Sequence, residues 1–106
     1  MDRSDSARMT RQLCEVLLSL RDPEETLLFL QDLCTPKEVE YMAQRVEAAR
    51  LLMHGLTYQE VTDRISISSA TLTRVSKCLR ADLGYRRVLS RLDDTSEKSR
   101  KEESPA

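Results

Sequence analysis

Apolar residues recur along most of the chain at three- and four-residue steps, the spacing that places them on one face of a helix. Met9, Leu13, Val16, Leu17 and Leu20 predict an amphipathic helix over residues 6–20. Arg21-Asp22 interrupts it. Asp22 suits an N-cap, Pro23 the first helical position, and Glu24 and Glu25 the positive end of the helix dipole, so a second helix is expected to about Leu33. Its centre, LLFL from Leu27 to Leu30, is apolar almost all round. A surface helix of a small monomer cannot hide such a band, so it is expected to be buried from two sides, one of them a second subunit.

TPKE, Thr35 to Glu38, has the form of a capping box and opens a third helix. Val39, Met42, Val46, Ala49 and Met53 give it one apolar face, and Gly55 suits a left-handed C-terminal cap, with the lone His54 in the last turn. TYQE, Thr57 to Glu60, is a second capping box and starts a short helix to about Ile65. The SIS stretch then interrupts, and Ser68 or Ser69 caps another helix to about Arg80. Val61, Ile65, Ile67, Leu72 and Val75 are spaced so that the two short helices bury one shared face across a tight turn. That is the helix-turn-helix pattern.

A final helix is expected over about Leu83 to Leu92, with Leu83, Val88 and Leu92 inward and Arg86, Arg87 and Arg91 outward. From Asp93 the aliphatic beat stops, which reads as a disordered tail over 93–106. The expected organisation is one all-α domain over 1–92: dimerisation helices at 6–56, the helix-turn-helix at 57–80 and a C-terminal helix at 83–92.

Composition sharpens this picture. The chain has 106 residues, 40% of them hydrophobic and 33% charged, with one Phe and no Trp. Such a chain has room for one thin core, and a thin core invites a partner chain. No apolar run approaches a membrane span, and MDRSDSARMTRQ does not resemble a signal peptide, so a cytoplasmic location is expected. Cys14, Cys34 and Cys78 form no C-x-x-C pair and have only His54 as an imidazole companion, so reduced thiols and no metal site are expected.

The net charge of −1 hides a pattern. Residues 1–56 carry 7 basic and 10 acidic groups (−3), residues 57–92 carry 7 and 3 (+4), and residues 93–106 carry 3 and 5 (−2). The basic block coincides with the predicted helix-turn-helix, as expected of a nucleic-acid footprint.

Ser66, Ser68, Ser69, Thr71, Thr73 and Ser76 crowd the same stretch, although Ser and Thr compete with a helix for backbone hydrogen bonds. The second helix of a helix-turn-helix enters the major groove by its N-terminal end and there needs short side chains that can hydrogen-bond. Ser69, Ala70, Thr71 and Thr73 meet that need: Ala70 and the Thr methyl groups suit a thymine methyl, and the hydroxyls suit base edges or phosphates. Arg74 and Lys77 lie further along, at phosphate or ligand positions. The alternative is that the hydroxyls serve only as caps.

From Leu33 to about Leu79 the chain resembles the Trp repressor family, most closely its YerC/YecD branch. LCTPKEVEYMAQRV, Leu33 to Val46, and LTYQEVTDRISISSATLTRVSKCL, Leu56 to Leu79, carry the resemblance. It implies a Trp-repressor-like multi-helix domain, an intertwined homodimer, and two helix-turn-helix heads reading a palindrome in double-stranded DNA. It places Ser69, Ala70 and Thr73 at base-approaching positions, Thr71 near phosphate, and Gln59 and Thr62 on the groove-facing side of the preceding helix. With Ser68, Arg74 and Lys77 these are the expected DNA-binding residues.

The resemblance also implies an effector pocket, since Arg45 and Arg74 fall where two arginines hold the ligand's ring and Thr35 where a threonine lines that pocket. Two positions depart from it. Val75 stands where a glycine leaves room for the ring, and Cys78 where a serine binds the ammonium group. Both changes disfavour tryptophan, and the open readings are another small amino-acid-like effector, or none, with one arginine pairing with Glu38 or Glu47 and the other binding phosphate. No cofactor is expected.

The resulting expectation is a homodimeric, sequence-specific transcriptional regulator, a repressor by resemblance. A protein-docking adaptor that uses the same helical hairpin without DNA is the alternative. An enzyme is disfavoured, because the chain shows no paired nucleophile and base, no metal-ligand cluster and no glycine-rich phosphate loop.

Overall fold

Local capping explains where each helix begins. The computed structural model describes residues 2–103, with side chains as far as Asp93. Among them are six helices and no strand: α1 (Arg3–Leu18), α2 (Pro23–Leu33), α3 (Pro36–Met53), α4 (Tyr58–Arg64), α5 (Ser69–Arg80) and α6 (Gly84–Glu103). Asp2 starts α1 earlier than the apolar beat alone suggests, accepting hydrogen bonds from the Ser4 and Asp5 amides. Asp22 accepts from the Glu25 amide at 2.8 Å. At α3 the Glu38 amide donates to Thr35 Oγ1 at 3.2 Å and the Thr35 amide donates to Glu38 Oε1 at 2.8 Å, a reciprocal box. Thr57 and Glu60 repeat it at α4.

Gly55 ends α3 at φ +88°. Its amide donates to the Leu52 carbonyl and the Leu56 amide to the Leu51 carbonyl, the paired bonds of a Schellman cap. Asp82 makes the other left-handed turn, at φ +57° between α5 and α6, a conformation aspartate tolerates better than most residues.

The chain divides into two compact units, Met1–Val39 and Glu40–Ala106. The later part of α3 packs with the helix-turn-helix. Ala48 and Ala49 are fully buried there, and their small side chains let neighbouring helices approach closely. One cluster joins Ala48, Val61 and Leu72, flanked by Leu51, Leu56, Ile65 and Ile67. The other joins Ala49, Val75, Leu79 and Leu89, flanked by Met53 and Tyr85. The first unit has no such cluster: neither α1 nor α2 contains a buried residue.

Two expectations for the C-terminal helix are corrected. Leu89 and Tyr85 face the core, whereas Leu83, Val88 and Leu92 are exposed. The turn at Asp82 sets the phase of α6, and sequence spacing alone admits either stripe. The helix also continues to Glu103 instead of ending near Leu92. Glu, Lys and Arg after Asp93 favour helix without needing a core to pack on. The remainder of the expected disordered tail, 104–106, lies outside the described residues. No helix among the described residues is long and apolar enough to cross a membrane.

Candidate nucleic-acid interface

α4, the turn at 65–68 and α5 form the helix-turn-helix. Its inner side is Val61 with Leu72 and Val75, all at most 1% exposed, so the outward residues stand on a fixed base. The turn position often taken by glycine is Ser66. No positive φ occurs there, so the turn makes no demand that serine cannot meet.

Ser68 caps α5, accepting from the Thr71 amide at 3.1 Å and donating to Thr71 Oγ1 at 2.8 Å. Ser69 and Ala70 are exposed in the first turn of the helix. The exposed Thr73 donates its hydroxyl to the Ser69 carbonyl at 2.8 Å. That bond holds the rotamer and leaves the oxygen lone pairs free to accept. On α4, Gln59 Nε2 donates to Asp63 Oδ1 at 2.9 Å and Thr62 Oγ1 to the Gln59 carbonyl at 3.0 Å. Within the hydroxyl-rich stretch Ser68, Thr71 and Thr73 make local bonds, and Ser69, Ala70 and Thr73 are exposed. Arg74 and Lys77 are exposed on α5.

Charge is distributed to match. Arg64, Arg74, Lys77 and Arg80 belong to the two helices of the motif. At the other end of the unit Asp93 pairs with Arg50 at 3.6 Å and meets His54 Nε2 at 3.3 Å, which joins the start of the acidic segment to the end of α3.

The residues of the expected effector pocket fall in different places. Thr35 belongs to the first unit, where its hydroxyl caps α3. Arg45 is half-buried and lines a cleft of about 710 Å³ with Tyr41, Gln44, Ser66, Ile67, Ser68 and Thr71. Cys78 lines a separate apolar cleft of about 550 Å³ with Val46, Leu83, Tyr85 and Val88. Arg74 lines neither cleft, and Val75 is in the core. Glu38 does not pair with Arg45. Its carboxylate holds the Thr35 amide and, by that bond first and the Thr35 hydroxyl second, its pKa lies below the ordinary glutamate value. Sequence reasoning passed over Tyr41 and Gln44, because nothing in the spacing of α3 shows which of its faces meets the turn.

A family model described as Trp repressor protein matches residues 8–93. The uncharacterized protein YerC of Bacillus subtilis (strain 168) is 40% identical over 89 residues, spanning 83% of this chain and 86% of its own. Among solved structures, a TrpR-like protein from Eubacterium eligens superposes with a TM-score of 0.76 at 36% identity, covering 81% of this chain and 90% of the other. A Trp repressor candidate from Staphylococcus aureus gives 0.76 at 28% identity, covering 88% and 96%.

Proposed function

The chain belongs to the Trp repressor family, a family of helix-turn-helix DNA-binding regulators and not of enzymes, and from that premise we propose that it acts as a homodimeric repressor on a palindromic operator. The observation that carries the reading is the outer side of α5, where Ser69, Ala70 and Thr73 are exposed above buried Leu72 and Val75. Small side chains there let the helix approach base edges closely. Its site of action is the cytoplasm, where operator DNA is reached.

Surface that one chain leaves open supports the dimer. Leu18 is 85% exposed, Leu28 65% and Leu27 48%. Solvent-facing leucines in such number on two helices without a buried residue call for a second copy. Two-fold symmetry then places half-sites about one helical turn apart.

Tryptophan control is disfavoured, because Arg74 stands outside the cleft that Arg45 lines and Val75 occupies core space. The test is a selection from random duplex DNA, with and without a pool of the twenty amino acids. A palindrome enriched in both arms is expected. Enrichment only with the pool would make an amino acid an obligate effector, and no enrichment in either arm would favour the protein-docking adaptor.

A further inference from the structure

The basic block 57–92 contains three carboxylates, and two of them serve the fold. Glu60 closes the capping box of α4, and Asp82 makes the left-handed turn before α6 and pairs with Arg86 at 3.5 Å. Asp63 has neither role. It is exposed, forms no ion pair among the described residues, and stands in the last turn of α4, where the negative end of the helix dipole disfavours an acid. Its partner is Gln59, whose Nε2 donates to Asp63 Oδ1 at 2.9 Å. A bond of this kind between exposed side chains adds little to a helix that the Thr57–Glu60 box already starts.

What the bond does is orient an amide. An ionised carboxylate only accepts, so Asp63 is met by the Gln59 NH₂ and never by the Gln59 carbonyl, which fixes the amide in one of its two flips. One N–H is then committed to Asp63, and one N–H and the Oε1 acceptor remain. Adenine shows in the major groove a donor at N6 beside an acceptor at N7, which one carbonyl and one N–H satisfy together. Guanine shows two acceptors there, O6 and N7, and would need both amide hydrogens. Asp63 takes one of them. Gln59 and Asp63 are exposed four residues apart on α4, on the side away from the fully buried Val61, so the pair faces outward. A carboxylate beside Gln59 also repels phosphate, which suits the pair to a base edge and not to the backbone.

We propose that Asp63 is a positioning residue that makes Gln59 an adenine reader, selecting A·T over G·C at one base pair of each half-site. The proposal rests on the DNA-binding reading above and names a specificity that reading leaves open. Base discrimination then belongs to α4 as well as α5. The unpaired acid in a basic block also gains a reason, since it weakens general attraction to the duplex and sharpens selection.

The test is the selection from random duplex DNA repeated on the full chain as wild type, Gln59→Ala, Asp63→Ala and Asp63→Glu. The base pair at which Gln59→Ala loses the wild-type preference is the assigned pair. Each protein of intact helicity is then titrated with the enriched duplex and with the same duplex carrying G·C for A·T at that pair. Wild type should prefer adenine there by about tenfold per half-site. Asp63→Ala should accept guanine nearly as well as adenine while binding both duplexes no more weakly than wild type binds its own. Asp63→Glu, which keeps an acceptor within reach of Gln59, should retain the preference. A purely structural role would instead weaken both duplexes alike and leave the ratio unchanged, and that result overturns the inference. A base other than adenine at the assigned pair, or Gln59→Ala with the wild-type preference intact, overturns it as well. If wild type enriches no duplex, the DNA-binding reading itself fails and the inference falls with it. A palindrome enriched by wild type supports that reading whatever Asp63 does.

Discussion

The two units of this chain contain the same kind of secondary structure and differ in what it is packed against. Among the described residues the second unit has seven buried hydrophobic residues in two clusters, and its helices α4 and α5 are capped at both ends. The first has well-formed caps, helices of 16 and 11 residues and, among the described residues, no buried side chain. Good helix signals therefore do not imply a core. Most helical stability in proteins comes from packing an amphipathic face, and α1 and α2 contribute no buried residue whereas α3, α4 and α5 each do.

The largest effect that sharpens this contrast is expected at Leu72. Leu72→Ala removes a side chain that is 1% exposed and should lower stability by about 2–5 kcal/mol, read from denaturant unfolding. The same truncation at Leu28, 65% exposed, should leave the second unit's unfolding midpoint almost unchanged. If the two substitutions cost the same at a concentration where the chain is monomeric, the contrast is wrong.

Next in size is association. Leu28→Glu places a charge on the exposed leucine band and should shift sedimentation at micromolar concentration from dimer towards monomer, while the Val61–Leu72 cluster stays folded. An unaltered sedimentation coefficient would place the subunit contact elsewhere. Ser68→Ala deletes the cap of α5 and should destabilise the second unit by about 1 kcal/mol, with an additional loss of DNA affinity from a frayed recognition helix. Thr73→Ala should cost little stability and change base preference at one position of each half-site, scored by repeating the DNA selection.

The smallest effect is one of pH. Glu38 titrates below its ordinary value because the Thr35 amide and hydroxyl bond the ionised form. A carboxyl depressed on folding contributes stability that is present above its unfolded pKa and lost as pH falls through its folded pKa. The Thr35 amide resonance should therefore follow the Glu38 titration on acidification below the usual glutamate range. In Glu38→Gln that titration should vanish.

Most of this architecture was legible in the sequence because it is written in local chemistry. Asp22-Pro23, Thr35 with Glu38, Gly55, Thr57 with Glu60, and Ser68 each mark a helix end through bonds made within a few residues. The shared face of Val61, Leu72 and Val75 was legible for the same reason, since two helices joined by a tight turn have little choice of packing. What spacing could not show depends on rotation about longer elements. α6 buries Leu89 and packs the partly buried Tyr85 beside it, instead of Val88 and Leu92, a choice set by the left-handed turn at Asp82. Likewise Arg45 and Cys78 line different clefts, because α3 turns one side to residues 66–68 and Val46 another to α6.

Footprinting with hydroxyl radicals, on the duplex enriched by selection, tests the central claim most directly. Two α5 helices presented by a symmetric pair of chains should protect two half-sites about 10–10.5 base pairs apart, centre to centre. A single protected half-site, or uniform protection without symmetry, would contradict the account.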